Sequence, residues 1–105
     1  MTNTTLIVDD SLTVRMDIGE ALQSTGFDIV LCADLRSARE ALAREEPALI
    51  VLDIQLPDGD GVDFLKELRS ATATAQVPVL LLSTEAEVEN RVRGMGAGAS
   101  EYVGK

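Results

Sequence analysis

Ala48-Leu49-Ile50-Val51-Leu52-Asp53 decides how this chain is read. Its apolar residues follow one another without the alternation expected of a half-exposed strand. A continuous aliphatic run of this length suits a strand buried on both faces, as in parallel sheets covered by helices. The run then stops on a carboxylate. Three further runs have the same form. Leu6-Ile7-Val8 leads to Asp9 and Asp10, Val79-Leu80-Leu81-Leu82 leads to Ser83, and Tyr102-Val103-Gly104 leads to Lys105. If these runs are parallel strands, their C-terminal ends gather acids, a hydroxyl and a cation at one edge of a sheet. Open α/β sheets bind their ligands at that edge.

The segments between the runs have helical spacing. After Ser11, one helical face carries Val14, Ile18, Ala21 and Leu22, and Gly26 closes the element. Phe27 to Leu31 reads as a second strand. Asp34 is placed to cap a helix with Leu35, Ala38, Ala41 and Leu42 on its apolar side, ending before Pro47. Pro57-Asp58-Gly59-Asp60-Gly61 is a turn, and a helix with Phe64, Leu65 and Leu68 follows. Residues 70–76 form a loop of small residues. Val77 to Leu82 is the fourth strand, with Pro78 near its start. Glu85 to Met95 is a helix carrying Val88 and Val92, and Ser100 to Val103 is a short fifth strand. The order βαβαβαβαβ predicts a doubly wound parallel sheet with helices on both faces.

At 105 residues the chain makes one domain, 1–105. Its hydrophobic content is 46% but aromatics are only 3%, so the core must be aliphatic. Formal net charge is −9, from 18 acidic and 9 basic side chains. That balance argues against non-specific binding to nucleic acid, whose phosphates need Lys and Arg. It suits a cation or a basic partner surface, and it equally serves general solubility. No apolar run approaches the roughly 20 residues that span a bilayer, and no secretion leader opens the chain. Cys32 is the single cysteine, so a disulfide within the chain is excluded; its apolar setting marks it as a small buried hydrophobe, and a reducing compartment fits. The absence of histidine excludes His-based triads, His zinc sites and phosphohistidine on this chain.

Each polar strand end has a modest reading beside a chemical one. Asp9-Asp10 can cap the following helix and complement its dipole, although Ser11 suffices for the cap. Two crowded carboxylates also repel, and a divalent cation relieves the repulsion; oxygen ligands with open positions suit Mg²⁺. Asp53 can be a turn residue bonded to local backbone. Ser83 and Lys105 taken singly are a turn residue and a surface charge. Together the five make metal ligands, a nucleophile, a hydroxyl donor and a cation, the set needed for phosphoryl transfer to a carboxylate. Competing motifs fail. A calcium loop starting at Asp58 meets Arg69 at its twelfth position, where Glu is needed. Gly94-x-Gly96-x-x-Ala99 lies after a helix and before a strand, the reverse of a dinucleotide fingerprint.

These motifs, in this order, resemble the receiver domain of two-component response regulators of the chemotaxis-regulator type. The resemblance rests on Leu6-Ile7-Val8-Asp9-Asp10-Ser11, on Leu49 to Gly61, on Val77 to Ser83 and on Gly96 to Lys105, and covers essentially the whole chain. It implies a flavodoxin-like five-stranded sheet of order 2-1-3-4-5 with five helices. The last helix is not in this chain, which predicts uncovered apolar surface on the side of the first helix. The resemblance further implies that Asp53 accepts a phosphoryl group from a phosphohistidine of a histidine kinase or phosphotransfer protein. Asp9, Asp10, Asp53 and the Gln55 backbone carbonyl would hold Mg²⁺. Ser83 would bond the phosphoryl oxygens, Lys105 would pair with them, and Tyr102 would turn inward as the aromatic switch. The output would be read from the fourth helix and fifth strand by an output domain or downstream protein, with dimerisation through that face. Such a domain is a cytoplasmic signalling switch and not an enzyme acting on other substrates, with neither nucleic acid nor membrane as its direct partner. Thr84 departs from the small residue usual after the hydroxyl, and a receiver-like interaction module without phosphorylation is the alternative.

Overall fold

The computed structural model describes residues 3–83 and 88–104. Thr84, the expected start of the fourth helix at Glu85, and Lys105 lie outside the described residues. The elements run β1 (Thr4–Val8), α1 (Leu12–Gln23), β2 (Asp28–Cys32), α2 (Leu35–Leu42), β3 (Leu49–Asp53), β4 (Gln55–Leu56), β5 (Gly59–Asp60), α3 (Gly61–Ser70), β6 (Val79–Ser83), α4 (Val88–Gly96) and β7 (Glu101–Gly104). Five strands form one sheet in the order β2-β1-β3-β6-β7, every pair parallel. With β6 and β7 as the fourth and fifth strands, this is the predicted doubly wound order. The turn at Pro57 is more than a turn: β4 and β5 pair antiparallel across it, Gln55 opposite Asp60 and Leu56 opposite Gly59.

Strand alternation splits the core between the two sheet faces. Leu6, Val8, Ile50, Leu52, Val79 and Leu81 point to one side, where Leu35, Ala38 and Ala41 of α2 and Val62, Phe64, Leu65 and Leu68 of α3 bury against them. Ile7, Val51 and Leu82 point to the other, against Val14, Ile18 and Leu22 of α1. The first face is closed. On the second face, Val103 at the edge is 41% exposed.

Local chemistry explains the helix limits. Ser11 Oγ accepts from the Val14 amide, and Asp34 accepts from the Ser37 amide at 2.8 Å while the Ser37 hydroxyl faces back to the Asp34 amide. That reciprocal pair is a capping box. Asp60 caps α3 through the amides of Val62 and Asp63. Gly26, with φ of +97°, makes the left-handed reversal after α1 that disfavours residues with a Cβ.

Two predicted core positions are wrong. Ala21 is exposed, and the buried small residue of α1 is Gly19, which lies against Ile29, Leu31 and Ile7. At about 100° per residue, Gly19 and Ala21 lie on opposite sides of the Val14–Ile18–Leu22 stripe, and the helix is rolled toward Gly19. Val92 is 64% exposed because α4 rests on the sheet through Gly94, roughly half a turn away. A Cβ at Gly94 would stand 2.5 Å from Leu81 Cδ1, so only glycine allows that approach without movement of the leucine. Cys32 is buried, as expected, and burial raises its thiol pKa above the ordinary value.

Candidate functional site

Strand register brings the polar ends together. Val8 pairs with Leu52, so Asp9 emerges level with Asp53 on the neighbouring strand. Asp53 pairs with Leu82, so Ser83 stands one residue further along on β6. Ser83 pairs with Gly104, the last residue of β7, and Lys105, which follows in sequence, is outside the described residues. β1 and β3 are also where the chain switches from building one side of the sheet to building the other, the point at which open sheets leave a crevice.

Asp9, Asp10 and Asp53 each offer an oxygen within 4.8 Å of the others. Asp9 and Asp53 are buried, whereas Asp10 is exposed. The Asp9 amide donates to the Cys32 carbonyl at 2.9 Å, extending the β1–β2 ladder one residue past the strand. Its Oδ1 accepts from the Ser11 amide at 2.8 Å. Asp53 Oδ1 faces the Gln55 amide at 3.4 Å. Both buried carboxylates are therefore aimed by backbone. Hard oxygen donors, two anchored and one open to water, match a small divalent cation that keeps part of its hydration shell. The residues present fit Mg²⁺.

Gly61 is a site residue that inspection of the sequence passed over except as part of the turn. A Cβ on it would lie 2.1 Å from the Asp53 carbonyl oxygen and 2.9 Å from Ile54 Cα. Its amide donates to the Ile54 carbonyl at 2.7 Å. The first residue of α3 is thus pressed onto the backbone that carries Asp53. Asp58 was also missed in its structural role: its carboxylate accepts from the Leu35 and Arg36 amides at 2.8 and 3.0 Å, pinning the β4–β5 turn to the start of α2. A Gly at a helix start and an Asp at a turn are the only local signals for these contacts.

Ser83 and Tyr102 are both buried, 4% exposed each. Tyr102 is already inward, beside Gly94, with the Arg91 guanidinium 5.6 Å from its ring centroid. Arg93 of α4 forms an ion pair of 3.0 Å with Asp60, next to Gly61. Burial alone would raise the Asp60 pKa, but the bonds from Arg93, Val62 and Asp63 outweigh it and hold the carboxyl below its usual range. On the opposite edge of the sheet, Arg69 donates to the carbonyls of Thr74, Val77 and Gly98.

The family model for the response regulator receiver domain matches residues 5–105. The chain belongs to the response regulator receiver family. This receiver domain is 38% identical over 100 residues to the phosphate regulon transcriptional regulatory protein PhoB of Escherichia coli (strain K12), an alignment covering 95% of the chain and 44% of that protein. It is 40% identical over 102 residues to the probable transcriptional regulatory protein TcrX of Mycobacterium tuberculosis, covering 97% and 43%. The receiver domain thus spans less than half the length of these curated relatives. Among solved structures it superposes on the chemotaxis response regulator CheY4 of Vibrio cholerae with a TM-score of 0.91 at 28% identity, covering 100% of this chain and 88% of that one. The BeF3-activated N-terminal receiver domain of RstA from Klebsiella pneumoniae gives 0.88 at 32% identity, covering 97% and 85%. No helix among the described residues is long and apolar enough to cross a membrane.

Proposed function

We propose that Asp53 is the phosphoacceptor of this receiver domain and that the partner supplying the group is a phosphohistidine on a histidine kinase or phosphotransfer protein. The observation that carries the reading is the convergence of buried Asp9 and Asp53 with exposed Asp10 at the β1–β3 edge. An Asp53 carboxylate oxygen attacks phosphorus in line. The bond from phosphorus to the donor's imidazole nitrogen breaks, its electron pair stays on that nitrogen, and an acyl phosphate forms. Asp9, Asp10, Asp53 and the Gln55 carbonyl would hold Mg²⁺, which when bound would neutralise charge on the phosphoryl oxygens. Catalysis is then positioning plus electrostatics. Ser83 donates its hydroxyl to a phosphoryl oxygen, and Lys105 pairs with another.

The acyl phosphate adds charge beside the β6 end, drawing Ser83 toward it. Tyr102 pairs with Leu81, two residues before Ser83, and packs beside Gly94 of α4. Movement at Ser83 therefore shifts the balance of positions at Tyr102 and on the α4–β7 surface. The inward ring seen here is one end of that balance. Residues 1–105 act as a single receiver unit reporting to an output domain or downstream protein through α4 and β7, with dimerisation on the same surface and a cytoplasmic site of action. Transcriptional control is the proposed output, from the roles named for PhoB and TcrX.

Mass spectrometry after exposure to a small acyl-phosphate donor and Mg²⁺ tests the reading. One phosphoryl group should be added, Mg²⁺ should be required, and Asp53→Asn should abolish the addition. Labelling that survives Asp53→Asn would overturn the assignment. An unlabelled wild-type chain would favour the non-phosphorylated interaction module.

A further inference from the structure

Arg15 folds back from α1 and donates through Nη1 to the backbone carbonyl of Asp9 at 2.7 Å. This contact is unexpected on electrostatic grounds. The N-terminal end of a helix has a partial positive charge that disfavours a cation. Arg15 is in the first helical turns of α1, after the Ser11 cap, and its head reaches back past that cap. It is half-buried.

The bonded atom matters more than the charge. The Asp9 carbonyl belongs to the peptide plane joining Asp9 to Asp10, and that plane is rigid. The Asp9 amide is fixed to Cys32 and the Asp9 carboxylate to the Ser11 amide. Arg15 adds a restraint on the plane from which the Asp10 side chain also departs. Asp10 itself is exposed, so its aim depends on the backbone beneath it.

We propose that Arg15 is a positioning residue for the acidic cluster, gripping the Asp9–Asp10 peptide so that both carboxylates point at one divalent cation. The role rests on the Mg²⁺ site described above. Charge and positioning predict opposite signs. Removing a cation beside a cation site tightens metal binding if charge dominates, and weakens it if the grip dominates. Calorimetric titration of metal-free protein with MgCl₂ should show Arg15→Met binding on the order of tenfold more weakly, as for lost supports of metal ligands. Its melting temperature without metal should change little, and its phosphorylation rate should recover at high Mg²⁺. Arg15→Lys, which keeps the charge and one donor but lacks the planar fork, should fall between. Unchanged or tighter binding in Arg15→Met overturns the role of Arg15 alone. If Arg15→Met fails to fold, Arg15→Lys decides: binding as tight as in the unsubstituted chain overturns the role. No Mg²⁺ binding by the unsubstituted chain overturns the metal site and this role with it.

Discussion

The two halves of the site are built differently. The acid half, on β1, β3 and the β4–β5 turn, is held by backbone. Asp9 is 0% exposed and Asp53 4%, and their carboxylates are aimed by amides two residues further on. The reporting half, on β6, α4 and β7, rests on less. Gly94 is the only buried residue among the described side-chain positions of α4, while Val92 and Met95 of the same helix are exposed. A group that performs in-line chemistry gains from rigid placement. A surface that must change shape gains from weak, replaceable contacts. The difference separates chemistry from response within one sheet edge.

The most direct way to break the acid half is Gly61→Ala. The added Cβ meets the Asp53 carbonyl at 2.1 Å, and backbone cannot step aside as a side-chain tip can. A loss of about 3 kcal/mol in unfolding free energy is expected, at the upper end of overpacking costs. Phosphorylation should fall as well, because the strain is delivered to the backbone of the acceptor. Urea unfolding checks the first outcome and donor labelling the second. Normal labelling at normal stability would mean that the turn relaxes freely and that the acid half is less rigid than its contacts indicate.

Mg²⁺ is expected to act on the same half in the opposite direction. A metal that binds the folded carboxylate cluster and not the unfolded chain stabilises the fold. It should therefore add about 2.7 kcal/mol at a hundred times its dissociation constant. In a domain of this size each kcal/mol moves the melting temperature by about 4–8 °C. Calorimetry with and without Mg²⁺ measures the shift, and Asp9→Asn should reduce it. No shift at saturating metal would remove the basis for treating the three acids as one site.

The reporting half is tested first at its base. Arg69 spans the carbonyls of Thr74, Val77 and Gly98, joining the loops that lead into β6 and β7. Arg69→Met keeps much of the length of the side chain but leaves those carbonyls without their cationic donor. About 2 kcal/mol should be lost, the scale of charge-assisted hydrogen bonds. Because the contacts lie at the sheet edge opposite the acids, Mg²⁺ affinity should not change. If it did, the two halves would be coupled through the sheet itself.

How much of this was legible follows from the range of each interaction. Asp53 announces itself because a carboxylate closing Leu49 to Leu52 is a local event, and the same holds for Asp9, Asp10 and Ser83. Sheet order followed from the family's motifs, while alternation of runs and helical segments alone yields only a parallel sheet. Asp58 capping α2 and Arg69 reaching Gly98 join residues 23 and 29 positions apart, beyond any periodicity window, and Gly61 touching Asp53 lies within one motif but leaves no hydrophobic signal. Ala21 and Val92 were misplaced for a related reason. Both fit an apolar period, but α1 is rolled so that Gly19 faces the sheet, and α4 is turned by Gly94, where a Cβ would meet Leu81. At Gly94 the smallest residue, which contributes nothing to a hydrophobic pattern, sets the orientation.

The smallest expected effect lies where the halves meet. Arg93 of α4 and Asp60 of β5 form an ion pair with side chains 45% and 36% exposed, and Asp60 adjoins Gly61 and hence the Asp53 backbone. Arg93→Met should cost less than about 1 kcal/mol, as exposed pairs do. Its pH dependence identifies it. Asp60 has a lowered pKa when folded, so the stabilisation is complete above the ordinary carboxylate value and disappears as pH falls through the lowered one. The difference in melting temperature between the unsubstituted chain and Arg93→Met should therefore be flat near neutral pH and shrink on acidification. A second readout bears on response: with the pair gone, α4 has one tie fewer to the acceptor loop, so phosphorylation should alter the α4–β7 surface by a different amount at unchanged labelling rate. Hydrogen exchange of the α4 amides before and after phosphorylation measures that amount. An unchanged difference would remove the ion pair as a route between the halves, and would make the separation of chemistry from response sharper than the pair suggests.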